Sequence, residues 1–256
     1  MEDHKEKLTE FYNKFNENKR LDHRHGQVEY ITSMKYIHEY LKPGDKIVDI
    51  GAGPGRYSLQ LKTEGYDVTA VELVRPNIGM LKAKDKDIRV IEASATDLSM
   101  LKDKEFDVAI MFGPMYHLYS EEDRLQALKE AKRISKKYIF VTYIMNEYSV
   151  IEYAFKDNNY KQIKDKLDED FRIRDPEAIF YQTRIEEMDK LNELCNLELI
   201  KRFAADGPSD YMRSTINAMD EETFAAYLDF HLKTCERKEL LGASSHVVDI
   251  LKIRSA

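Results

Sequence analysis

The sequence predicts an α/β protein built on a doubly wound, seven-stranded, mostly parallel sheet, with N-terminal helices and helical cap insertions. Three observations carry this. From Lys46 onward, short apolar runs alternate with segments of helical period, and such alternation implies a parallel sheet covered on both faces. The runs are rich in Val and Ile with no polar side, as the centre of such a sheet requires. A glycine-rich turn, "IVDIGAGPGRYS", joins the first strand to the first following helix.

Taken in order, Lys5–Phe15 and Val28–Leu41 place apolar residues at helical spacing, with the polar stretch "NKRLDHRHG" between them. Pro43, Gly44 and Asp45 mark a turn, and "KIVDI" is the first strand. Further strands are predicted at Asp67–Leu73, Asp87–Ala93, Phe106–Phe112 and Tyr138–Ile144, with helices near Asn77–Lys84 and over Glu121–Ile134. Asn146–Tyr181 holds aromatic and charged residues without a strand pattern. A helix follows near Ile185–Cys195, then a sixth strand at Leu197–Asp206, a helical insert over Asp220–Leu241 and a seventh strand at Ser245–Ile253. We therefore expect one domain over residues 1–256, with an N-terminal helical lid (1–42) and cap insertions at 145–183 and 206–241. Both insertions follow strand ends on the side where open α/β sheets bind ligands.

Composition excludes several classes. Of 256 residues, 34% are charged and 43% hydrophobic, as in a globular chain with a well-solvated surface. The formal net charge of −7, with Lys and Arg scattered, leaves no electrostatic footprint for nucleic acid, which is not expected as a partner. The longest apolar runs, such as "YIFVTYIM", are too short to cross a bilayer, and "MEDHKEKLTE" is charged where a signal peptide would be apolar, so a cytoplasmic location and no membrane partner are expected. Cys195 and Cys235 are expected to be reduced and structural. His23 and His25 in "DHRH" have no partner at metal-ligand spacing, and no metal site is predicted.

The glycine turn carries the functional signal. A dinucleotide fingerprint needs G-x-G-x-x-G; here Gly51, Gly53 and Gly55 form G-x-G-x-G, with Arg56 at the last glycine's place. A phosphate-gripping P-loop needs a Gly-Lys-Ser/Thr that is missing. Asp49, at the end of the strand, would repel a pyrophosphate but suits a ligand bearing an ammonium or sulfonium charge. Glu72 ends the second strand 21 residues after Gly51, where a carboxylate can accept two hydrogen bonds from a ribose diol. S-adenosyl-L-methionine satisfies both acids.

On these residues the sequence resembles the class I S-adenosylmethionine-dependent methyltransferases: "VDIGAGPGRYS" looks like their first motif, "VTAVEL" their second-strand motif and "FDVAIMFGPMYHL" their fourth-strand motif. "GPMYHL" followed by "EEDRLQALKEAKRI" is similar to a bacterial group with small or unassigned substrates. The resemblance implies a Rossmann-like methyltransferase fold, S-adenosyl-L-methionine as cofactor and S-adenosyl-L-homocysteine as product. It further implies that Gly51, Ala52, Gly53 and Gly55 pass under the cofactor with Tyr57 nearby, that Asp49 lies near its amino end, and that Glu72 and Leu73 meet the ribose. The adenine-edge positions fall on Ser94 and Ala95; serine departs from the family's Asp or Asn, and Asp97 is an alternative. Phe112 and Gly113 would pass beside the cofactor, and Tyr12 and Arg20 would reach its carboxylate from a lid.

Methyl transfer needs an aligned nucleophile and, where that nucleophile is weakly acidic, a proton acceptor. Tyr116 and His117 are the catalytic candidates, His117 as base because it titrates near neutrality; packing against the following helix is its competing role. Gly113 replaces the acceptor that would bind amine hydrogens in an Asp/Asn-Pro-Pro-Tyr motif. The expected activity is methyl transfer to O, N or S of a small molecule. An RNA or protein methyltransferase, a non-catalytic S-adenosylmethionine-binding module and an NAD-binding oxidoreductase are the alternatives.

Overall fold

The central strand β1 (Lys46–Ile50) is buried over four of its five residues, because it lies inside the sheet with apolar side chains on both faces. The computed structural model describes residues 7–12, 21–156 and 158–254. Around β1 the sheet runs in the order β3-β2-β1-β4-β5-β8-β7, from β2 (Asp67–Glu72), β3 (Arg89–Glu92), β4 (Phe106–Met111), β5 (Ser135–Met145), β7 (Leu197–Ala204) and β8 (His246–Ile253). Strands β1 to β5 pair in parallel. Strand β8 is antiparallel to both β5 and β7. The predicted seven-stranded, mostly parallel sheet is present. A two-residue strand, β6 (Gln182–Thr183), extends the end of β5 and was not predicted; two residues are too few to show a period.

Chain order reverses between β1 and β4, whose carboxyl ends therefore open a crevice. The glycine turn and the segment after β4 fill its rim. Helix α1 (Arg24–Tyr40) starts four residues before the predicted Val28, taking Arg24, His25 and Gly26 from the stretch predicted as loop. It is built into the core: Tyr36 stacks on Phe203 of β7 with ring centroids 4.0 Å apart, and Val28 packs with Ile216 and Phe224 of the second insertion. Helices α2 (Arg56–Thr63), α3 (Arg75–Lys84) and α4 (Glu121–Ile134) cover the sheet. Helix α4 has the predicted limits, because Ser120 accepts the Asp123 backbone N–H as N-cap, acids fill the first turn and Lys132 and Arg133 the last.

The first insertion runs from α5 (Asn146–Val150) through a π-helical turn at Ile151–Lys156 to β6. Helix α6 (Ile185–Leu194) precedes β7. The second insertion contains α7 (Arg213–Ala218) and α8 (Glu221–Thr234), the latter capped by Asp220 accepting from the Thr223 N–H. Cys195 and Cys235 are both buried free thiols. Among the described residues no helix is long and apolar enough to cross a membrane.

Candidate active site

A cavity of about 890 Å³ lies at the carboxyl ends of β1, β2, β3 and β4. The turn after β1 forms one wall. Gly51 adopts φ +74°, and a Cβ there would sit 2.7 Å from the Pro114 ring, so glycine lets the loop after β4 close against the loop after β1. Gly53 has φ +56° and faces open space at the cavity wall, a cradle that any side chain would begin to fill.

Gly55 departs from expectation. It does not line the cavity; it is the left-handed N-cap of α2 (φ +87°), and a Cβ there would meet Leu81 at 2.9 Å. It serves close packing between α2 and α3. Spacing cannot separate a cradle glycine from a packing glycine two residues on.

Two buried carboxyls define the wall's electrostatics. Asp49 is 2% exposed and accepts a 2.5 Å hydrogen bond from the Ser58 hydroxyl. Burial pushes its pKa up to about 6; the Ser58 hydrogen bond opposes this and the charge of Glu72 adds to it. Glu72 is 5% exposed and accepts the backbone N–H groups of Gly53 and Val74, both at 2.7 Å. Its pKa is also raised by burial, against the pull of those amides and of the Asn77 side chain. Glu72 thus braces the glycine turn.

The remaining predicted residues mostly converge. Ala52, Tyr57 and Leu73 line the same cavity. Tyr57 packs edge-on against Phe112, centroids 5.0 Å apart. Ser94, Ala95 and Asp97 line the far end, where the Ser94 hydroxyl is 2.8 Å from that of Thr96 and Asp97 accepts the Ser99 N–H. Gly113, Tyr116 and His117 line the opposite end. A Cβ on Gly113 would lie 3.8 Å from the Tyr116 hydroxyl, which places that hydroxyl beside the cavity floor. Arg20 lies outside the described residues.

His117 is held from both sides. Its Nδ1 lies 3.1 Å from the Ile179 carbonyl and its Nε2 2.8 Å from the Tyr12 hydroxyl. A carbonyl only accepts, so Nδ1 carries a proton; in the neutral ring Nε2 accepts from Tyr12. Residues 7–12 are helical. Leu8 and Tyr12 line the cavity, Phe11 packs edge-on against Phe180, and Lys7 pairs with Glu177. The Tyr181 N–H donates to the Tyr116 carbonyl at 2.7 Å. The first insertion and the N-terminal segment thus meet over the cavity at His117.

Sequence reasoning missed Asn77, Thr96, Asp123 and Gln126, all on the cavity wall. Asn77 is 2% exposed, and its Oδ1 is buried with no hydrogen-bond partner among the described residues. Such an atom fits a ligand that donates a hydrogen bond. An asparagine at an apolar position of α3's period was the available signal.

The donor pattern fits the expected cofactor. Two buried carboxyls of raised pKa suit the positive amino and sulfonium end and the ribose diol, a glycine leaves room above the turn, and an orphaned carbonyl oxygen awaits a donor. Residues 48–139, which include this wall, match the family described as methyltransferase domain. The matched segment is a methyltransferase domain. No curated protein matches the chain. Among solved structures, the chain resembles a SAM-dependent methyltransferase from Methanosarcina mazei (20% identity, 85% of this chain and 96% of that one, TM-score 0.58). It also resembles one from Thermotoga maritima described as a possible histamine N-methyltransferase (22% identity, 96% and 98%, TM-score 0.58). A third is magnesium protoporphyrin IX methyltransferase from Synechocystis with bound SAH (11% identity, 90% and 83%, TM-score 0.55). At these identities the likeness establishes the methyltransferase fold.

Proposed function

We propose that this protein is an S-adenosylmethionine-dependent methyltransferase that transfers a methyl group to an oxygen, nitrogen or sulfur atom of a small molecule. The observation that carries the reading is the roof of the cavity. Leu8 and Tyr12 line it from the N-terminal segment, while residues 177–181 of the first insertion tie that segment and the loop after β4 together. A cavity of about 890 Å³ lies in the range of small-molecule sites, and a roof of this kind suits an enclosed acceptor better than a polymer. We read residues 7–12 as a lid and 145–183 as a cap.

When bound, the cofactor supplies an electrophilic methyl group on sulfonium sulfur. In this reading Asp49 faces the positive end, Glu72 accepts from the ribose hydroxyls while still bracing Gly53, and Ser94, Ala95 and Asp97 meet the adenine edge. Phe112 and Gly113 flank the cofactor. Tyr116 orients the acceptor. His117 takes up the acceptor's proton through the Tyr12 hydroxyl, which passes its own proton to Nε2 while Nδ1–H stays on the Ile179 carbonyl.

Calorimetry tests the binding half. S-adenosylmethionine and S-adenosylhomocysteine should bind and NAD should not, and Glu72→Ala should weaken the first two by about tenfold or more, since a hydrogen bond to a charged group is worth about 1.5–3 kcal/mol. Binding of NAD alone would overturn the reading. For the chemical half, His117→Gln should lower turnover in an acceptor screen of phenols, amines and thiols while sparing cofactor affinity. An unchanged rate from pH 6 to 9 would remove His117 from the mechanism.

A further inference from the structure

Away from the cavity, three side chains from distant parts of the chain converge: Glu29 on α1, Asp206 just after β7 and His246 at the start of β8. One donor atom from each lies within 4.8 Å of the others, the only such group among the described residues. His246 Nδ1 is 2.7 Å from Asp206 Oδ2 and 3.7 Å from Glu29 Oε2. Glu29 is 7% exposed and Asp206 2%, so the group is interior, unlike a solvated acidic patch.

We propose that Glu29, Asp206 and His246 bind a divalent transition-metal ion. One imidazole and two carboxylates form the mixed N,O set that Zn²⁺ and Mn²⁺ take, whereas Mg²⁺ and Ca²⁺ favour oxygen alone. Ligands about 2.1 Å from a tetrahedral ion stand roughly 3.4 Å apart, and the separations of 2.7 and 3.7 Å bracket that value. Nδ1 already faces the centre, and the neutral ring offers its lone pair there once its single proton sits on Nε2. Asp206 is already oriented for this role. Its other oxygen accepts the Ser244 hydroxyl at 2.6 Å and the His246 backbone N–H at 3.0 Å, which turns Oδ2 toward the centre.

The His246 ring stands edge-on to Tyr116, centroids 6.2 Å apart, so the ion would fasten α1 to the ends of β7 and β8 directly behind the acceptor end of the cavity.

The test uses the full-length protein, stripped with chelator and titrated calorimetrically with Zn²⁺, Mn²⁺ and Mg²⁺ in two buffers of different ionisation enthalpy. One Zn²⁺ or Mn²⁺ should bind per chain, with the same stoichiometry in both buffers and Mg²⁺ binding far more weakly. Glu29→Gln and His246→Ala should each weaken binding by roughly 100-fold, and Ser244→Ala by about tenfold. Co²⁺ should give a visible absorption band that His246→Ala abolishes. His23 and His25, stacked on the surface with centroids 5.9 Å apart, are the adventitious rival, so the His23→Ala/His25→Ala variant should retain the site. Absence of stoichiometric binding, binding unchanged by the isosteric Glu29→Gln, or binding lost with His23 and His25 would overturn the proposal and leave a hydrogen-bonded Asp–His pair. Cofactor binding is scored separately, because none of the three residues lines the cavity.

Discussion

Asp49 shows how a single side chain can trade stability for ligand charge. It sits at the end of β1 because the strand delivers it there, and its burial raises its pKa from the model-peptide value near 4 to about 6. The neutral form is thus the comfortable one in the fold. Relative to the unfolded chain, its contribution is fully present below pH 4, falls away as pH rises through 6, and stays lost at pH 8. Asp49→Asn, which can still accept from Ser58, should therefore stabilise the protein at pH 8 by on the order of 2–3 kcal/mol and leave it unchanged near pH 3.5. Urea denaturation at the two pH values measures this, and equal stability of variant and parent at pH 8 would contradict it. The same variant should bind S-adenosylmethionine at least about tenfold more weakly by calorimetry, if the carboxylate faces its positive end. Not every residue was this legible. Asp49 and Glu72 could be placed because strand ends are local, whereas Gln126 reaches the cavity only through helix packing that no local pattern encodes.

At the scale of elements, capping and period predicted most of what forms. Helix α4 has its predicted limits because both ends are written into neighbouring side chains. The start of α1 was misplaced since no side chain caps it; His23 stands at its N-cap without a side-chain hydrogen bond. The pairing of β7 with β8 depends on a polar interior that periodicity could not announce. Arg202 donates to both oxygens of Asp249 at 2.6 and 2.8 Å, Asn192 donates to the same carboxylate at 2.7 Å, and Asp189 completes the pair on the outer side. Asp249 is fully buried, so burial still holds its pKa above the usual carboxylate range despite Arg202. Arg202→Met should cost about 3–5 kcal/mol in chemical denaturation, because it strands a buried charge, while Arg202→Met combined with Asp249→Leu should recover much of the loss. A double variant as unstable as the single one would mean that the pair is more than a mutual neutralisation.

For the whole molecule, a mostly parallel sheet covered on both faces was recoverable from the alternation of strands and helices, while the meeting of the two chain-distant roof elements at His117 was not, since it joins residues 7–12 to 177–181. A ligand that binds the native state alone stabilises it by mass action. S-adenosylmethionine at about 100 times its Kd should therefore add about 2.7 kcal/mol and raise the thermal midpoint, with NAD giving no shift. A scan in which neither ligand, or both equally, moves the midpoint would count against the cavity as the cofactor's site.

Helix α1 bears on a different question, the order in which the chain can acquire its shape during synthesis. Its Tyr36 stacks on Phe203 and hydrogen-bonds Glu236, and its Val28 rests on Ile216 and Phe224. All of these partners emerge from the ribosome long after the helix itself. The part of the helix around Val28 and Tyr36 must wait, its apolar face uncovered, until nearly the whole polypeptide has been made. The growing chain is thus most exposed to miscontact and to chaperones at its beginning, and the step that closes the fold is the late arrival of β7 and the second insertion.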